Sequence, residues 1–141
     1  MNNDPTSEST ALTVTAAQHV VDNSSFGAWW RFEVVDVGFG SATVRLGSRP
    51  ELFRPGGVLH GGCAMTLADV AFWIALLSRD GIDDPAVTFE MKTNFLRGAA
   101  TDLHSTARVL STTRRICYGE ASTHDDNGSL VAHHTLTYMR P

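Results

Sequence analysis

Between Gly61 and Ser78 the chain runs through Ala64-Met65-Thr66-Leu67-Ala68-Asp69-Val70-Ala71-Phe72-Trp73-Ile74-Ala75-Leu76-Leu77, an apolar stretch holding one charged residue. Gly81 and Pro85 mark its exit, so the segment reads as a single helix over Gly61–Ser78. A helix apolar on nearly every side has no stable place on a surface and must be enclosed by the rest of the chain. The 141 residues suffice for one domain that does this.

The flanking segments show what encloses it. After Pro85 the period drops from 3.6 to 2: in Val87-Thr88-Phe89-Glu90-Met91-Lys92-Thr93-Asn94-Phe95 apolar and polar residues alternate, with Thr93 out of step. Leu103–Leu110, Arg115–His124 and Leu130–Met139 read as three more strands. They are joined by Ser111-Thr112-Thr113 and by Asp125-Asp126-Asn127-Gly128, whose Asn-Gly pair is a hairpin signal. Ahead of the helix, Val14 to Asn23 has helical spacing. Trp29–Val37 and Ser41–Leu46 read as a hairpin turned at Gly38-Phe39-Gly40, and Gly47 to Leu59 reads as loop. The expectation is an α+β fold in which an antiparallel sheet wraps a long central helix. Residues 1–12 are expected to be a disordered polar tail and 13–141 a single domain. Open sheet edges favour pairing with a second copy.

Composition narrows the function classes. Net charge is −4 with no basic run, so the electrostatic footprint of a nucleic-acid binder is missing. Cys63 and Cys117 match no disulfide framework or zinc spacing, and no signal-peptide core precedes the domain. The apolar run is interrupted by Asp69 and falls short of a bilayer span. A cytoplasmic protein without membrane association is expected.

Asp69 is the residue that needs a reason. A carboxylate in such surroundings must be partnered, protonated or working, because burying an unpaired charge costs several kcal/mol. Its bland explanation is a hydrogen bond from Thr66 or Ser78. Pro55-Gly56-Gly57-Val58-Leu59-His60-Gly61-Gly62 places glycines, a histidine and a helix N-terminus within about two turns of it. His133 and His134 are adjacent on a strand and point to opposite faces, which argues against a metal site.

Gly57-Val58-Leu59-His60-Gly61-Gly62 followed by Leu67-Ala68-Asp69-Val70-Ala71-Phe72 resembles the signature of hotdog-fold thioesterases. The likeness is to the phenylacetate-degradation (PaaI-type) and 4-hydroxybenzoyl-CoA thioesterase group, and it runs from about Phe26 to Met139. Phe95-Leu96-Arg97-Gly98-Ala99 is similar to the Phe-Leu-Arg-Pro that usually ends that family's central strand. The resemblance implies hydrolysis of acyl-coenzyme A thioesters by a homodimer or homotetramer. The helix acid of one subunit would face the loop histidine and glycine of another, with no cofactor beyond the coenzyme A of the substrate.

On that reading, a first-turn backbone N–H free of intrahelical partners would polarise the thioester carbonyl, and Gly62 is the expected donor. Asp69 would act as general base on water or as nucleophile. His60 would orient substrate or water, donate to the carbonyl, or cap the loop. Phe72 and Trp73 would meet an aryl or medium-chain acyl group, or simply be core. Arg97, Arg114 and Arg115 are candidate ligands for the coenzyme phosphates. Arg54 stands where the family commonly has Asn or Gln. It would pair with Asp69, reach a phosphate, or remain a solvated loop residue. Cys63, near a helix N-terminus, is a rival nucleophile. Rival functions are hydrolysis of acyl-carrier-protein thioesters and non-catalytic acyl-CoA binding.

Overall fold

The computed structural model describes residues 9–141, so the expected tail lies outside the described residues over positions 1–8. Residues 9–12 run onto the end of the central helix, where the Thr10 hydroxyl donates to the Ser78 carbonyl at 2.6 Å and Leu12 packs on the core.

Helix α1 (Val14–Asp22) starts at Thr13, whose hydroxyl accepts from the Ala16 N–H at 3.0 Å, and it buries Ala17 and Val21. The expected strand from Trp29 begins late. Gly27–Trp30 is instead one helical turn, α2, and strand β1 spans Glu33–Gly38. Aromatic residues favour strands, but long-range contacts decide here. Gly27 sits so close to the Val21 carbonyl that an added Cβ would lie 2.1 Å from its oxygen. Arg31 closes the turn with φ 58°, and the Arg49 guanidinium donates to the Trp29 and Trp30 carbonyls at 2.6 and 3.1 Å.

Strand β2 (Ser41–Leu46) completes the hairpin with β1. The expected loop from Gly47 to Leu59 contains a 3-10 turn (Pro50–Leu52). It also holds a two-residue ribbon, β3 (Phe53–Arg54) with β4 (Val58–Leu59), turned at Gly56 and Gly57 with φ 103° and 76°. Helix α3 follows over Gly61–Asp80, two residues longer than expected, and then β5 (Val87–Phe95), β6 (Leu103–Thr112), β7 (Ile116–Asp125) and β8 (Leu130–Met139). At 20 residues α3 is long and apolar enough to cross a bilayer, which corrects the expectation that the run is too short. Its apolar surface is instead mostly buried inside the fold.

One antiparallel sheet, in the order β1-β2-β6-β7-β8-β5, packs against α3. Phe72 shows how closely. It is fully buried with its ring edge-on to Tyr138 at 4.9 Å, and a Cβ on Gly119 would lie 2.3 Å from it. The sheet leaves part of α3 uncovered: Gly62, Met65, Thr66, Asp69 and Trp73 form a half-exposed stripe. Strand β5 pairs only with β8 and leaves Val87, Phe89, Phe95 and Leu96 exposed near its open edge.

Candidate active site

Asp69 lies on the uncovered stripe of α3 and is half-buried. Its Oδ1 accepts from the Thr88 hydroxyl at 2.8 Å and from the Tyr138 hydroxyl at 2.6 Å. The Asp69 carbonyl oxygen is a further 3.0 Å from the same phenol. Thr88 and Tyr138 are register partners on β5 and β8, so one cross-strand pair supplies both donors. Oδ2 accepts nothing from the described residues. Thr66 and Ser78 are not the partners: the Ser78 hydroxyl donates to the Ala75 carbonyl at 2.6 Å and accepts from the Gly40 N–H at 3.0 Å. Burial first, and then the charge of Asp69, push the Tyr138 phenol far above its usual range. It therefore remains a donor.

The carboxylate opens on a cavity of about 260 Å³ walled by Phe26, Val70, Trp73, Ala86 and Val87. Phe26 and Trp73 lie 6.2 Å apart, ring centre to ring centre. Trp73 lines the cavity, while Phe72, one position earlier, turns into the core. The helical period separates the two, because successive residues point about 100° apart.

His60 caps the N-terminus of α3. Its Nδ1 accepts from the Gly62 N–H at 3.1 Å, which puts the proton of the neutral ring on Nε2, free to donate outward. This corrects the assignment of Gly62 as the free donor. The imidazole already holds that N–H, and a Cβ on Gly62 would lie 2.8 Å from the ring. The Gly61 N–H, by contrast, finds no acceptor among the described residues. Gly61 lines a second cavity, of about 400 Å³, with Arg54, His60, Ala64, Phe95 and Arg97. Arg54 and Arg97 are exposed there and form no ion pair among the described residues. Arg54 is at this end and away from Asp69, so it makes no pair with it. Arg114 and Arg115 sit in the exposed β6–β7 turn and line neither cavity.

Cys63 is fully buried with its Sγ 3.8 Å from the Leu52 carbonyl, and burial pushes its thiol up, so the thiolate a nucleophile needs is disfavoured. His133 faces outward beside Glu120, and His134 faces inward between Thr93 and Thr123, as adjacent strand positions must. Among the described residues no three His, Cys, Asp or Glu side chains converge as a metal site.

Sequence reasoning missed the Tyr138 and Thr88 hydroxyls that donate to Asp69 and the Phe26 wall of its cavity. Tyr138 shares strand parity with Leu136, so it points at the helix and needs a partner there. Thr88 gave no such signal, because a bulge at Phe89 changes the parity of β5.

The thioesterase-superfamily profile matches residues 56–132. A protein of Saccharolobus solfataricus, provisionally named an esterase, is 31% identical over 102 residues, 72% of this chain; the match spans 66% of that relative, just under two thirds. A conserved protein of Pseudomonas aeruginosa superposes with a TM-score of 0.79 at 34% identity, covering 84% of this chain and 94% of that one. The phenylacetic acid degradation protein PaaI of Thermus thermophilus, in a mutant form, superposes with a TM-score of 0.75 at 26% identity, covering 84% of this chain and all (100%) of that one.

Proposed function

Because the chain belongs to the thioesterase superfamily, we propose that it hydrolyses an acyl-coenzyme A thioester to the free acid and coenzyme A. The observation that carries this reading is the state of Asp69. Two neutral hydroxyls hold Oδ1, Oδ2 is unengaged among the described residues, and the carboxylate faces an apolar cavity. A carboxylate fixed on one oxygen presents the other to water or to the substrate in a single orientation.

As general base, Asp69 takes a proton from water as the oxygen adds to the thioester carbon. The carbonyl electrons move onto oxygen, where the Gly61 N–H and the His60 Nε2–H would meet the charge. The tetrahedral species then collapses, the carbon–sulfur bond breaks, and the thiolate leaves to be protonated. In the nucleophilic route Asp69 itself attacks the thioester carbon, the carbon–sulfur bond breaks with departure of the thiolate, and water then hydrolyses the resulting mixed anhydride to the free acid and Asp69.

Asp69 and His60 belong to different cavities of one chain, and helix geometry sets nine residues about 13 Å apart along the axis. A complete site therefore takes Asp69 from one copy and His60 with Gly61 from another. The unpaired β5 edge and its exposed Phe89 and Val87 support a homodimer, alone or within a homotetramer. An uncharged aryl or medium-chain acyl group suits the walls formed by Phe26, Trp73 and Val87. Arg54 and Arg97, exposed at the His60 cavity, would meet coenzyme phosphates. Arg114 and Arg115 would join them only from another copy. No bound cofactor enters these steps.

The test is free-thiol release from a panel of aryl, arylacetyl and straight-chain acyl-CoAs by wild type and Asp69→Asn. Loss of about a hundredfold or more in a folded variant that still binds acyl-CoA supports the assignment. Equal turnover by the two proteins rejects it.

A further inference from the structure

The Asp69 carboxylate is held by a phenol whose hydroxyl bonds to no other residue among those described. Tyr138 is nearly fully buried, its ring rests edge-on against Phe72 at 4.9 Å, and its hydroxyl reaches out of this apolar setting to Asp69. The ring alone satisfies the packing. The hydroxyl brings a polar atom into the core, which is favourable only while it is hydrogen-bonded. The same oxygen contacts both the carboxylate and the main chain of Asp69. It thereby ties the helix position that carries the acid to the strand beside it. We infer that Tyr138 is a positioning residue for the acid: its hydroxyl, donating to Oδ1 of Asp69, fixes the carboxylate and leaves Oδ2 for the reaction.

This inference rests on the thioesterase reading, and it separates Tyr138 from a residue that merely fills the core. A donor to a carboxylate stabilises the charged form over the neutral one. Its removal therefore acts on the pH dependence of a step that needs the charge, whereas a loss of packing acts on the folded fraction at every pH alike.

Tyr138→Phe deletes the hydroxyl and keeps the ring. With the best acyl-CoA, kcat is expected to fall about ten- to a hundredfold, as for loss of a hydrogen bond to a charged group, with KM within about twofold. The acid limb of the kcat profile is expected to move to higher pH. A fluorinated tyrosine placed at 138 is a stronger donor and should move the acid limb the other way; it also carries the test if Tyr138→Phe does not fold. In an Asp69→Asn background, Tyr138→Phe should cause no further loss of turnover. An acid limb unmoved by the fluorinated residue, or by a folded Tyr138→Phe, overturns the inference while leaving the thioesterase reading intact. A wild type inactive on every thioester would instead overturn the reading, and the inference with it.

Discussion

His60 and Asp69 lie nine positions apart on one helix, the first capping its N-terminus and the second on its uncovered stripe, and they open on different cavities. A rigid helix cannot fold back to join them. On the reading proposed above, the reaction would draw these two residues from two copies.

That relationship predicts complementation. Asp69→Asn and His60→Ala should each be inactive alone. Unfolded together and refolded as a mixture, they should regain part of the wild-type turnover, because a mixed dimer contains one site built from the unaltered halves. Thiol release by the mixture measures this. A mixture as inactive as its components would show that each chain carries its own complete site.

Gly62→Ala should damage the site without touching a reacting group. The added Cβ meets the His60 ring at 2.8 to 2.9 Å, where no real contact is tolerated, so the imidazole must swing off the helix end. Loss of the cap is expected to cost about 1 kcal/mol of stability. Turnover should fall further than that cost explains, since the Nε2 donor moves with the ring. Denaturant titration and kcat on the same preparation separate the two effects.

Acid should destabilise the fold through His134. Its ring is fully buried, with Nδ1 and Nε2 each 2.8 Å from a threonine hydroxyl, Thr93 and Thr123. Burial, helped by the charge of the neighbouring His133, lowers its pKa from 6.5 to about 4. The unfolded chain therefore takes up a proton that the folded chain refuses. Stability is unaffected above pH 6.5, falls as pH drops from 6.5 towards 4, and levels off below that. The full loss is about 3 kcal/mol. Urea midpoints across this window should show the slope, and His134→Gln should flatten it.

Arg31→Gly should stabilise the protein. Arg31 is exposed and holds φ 58° at the end of α2, a conformation that suits glycine and strains a residue with a Cβ. The expected gain is about 0.5 to 1 kcal/mol in urea denaturation. A lower midpoint would mean that the Arg31 side chain stabilises the turn by more than its backbone strain costs.

The sequence was readable wherever burial repeats with a fixed local period. The apolar run identified α3, and alternation identified β2 and the four strands after the helix to within about two residues, because each pattern needs only neighbours along the chain. Trp29 and Trp30 misled for the opposite reason: their turn is closed by Arg49, nineteen or more positions away, which no local pattern encodes. Arg54, Arg97 and His60 were singled out one by one, yet their convergence on one cavity arises from the β3–β4 ribbon and the end of β5.

By itself the sequence determined helices α1 and α3, strands β2 and β5 to β8, and Asp69 as the carboxylate inside the enclosed helix, since hydrophobic periodicity and the cost of burying charge are local properties of the chain. The tertiary structure alone decided which groups serve that carboxylate. Thr88 and Tyr138 are brought to Asp69 by the register of β5 on β8, and a one-residue bulge sets which face Thr88 presents. It also decided that the Gly62 N–H belongs to His60. Such pairings depend on distances of a few tenths of an ångström between groups remote in sequence, and only the folded chain specifies them.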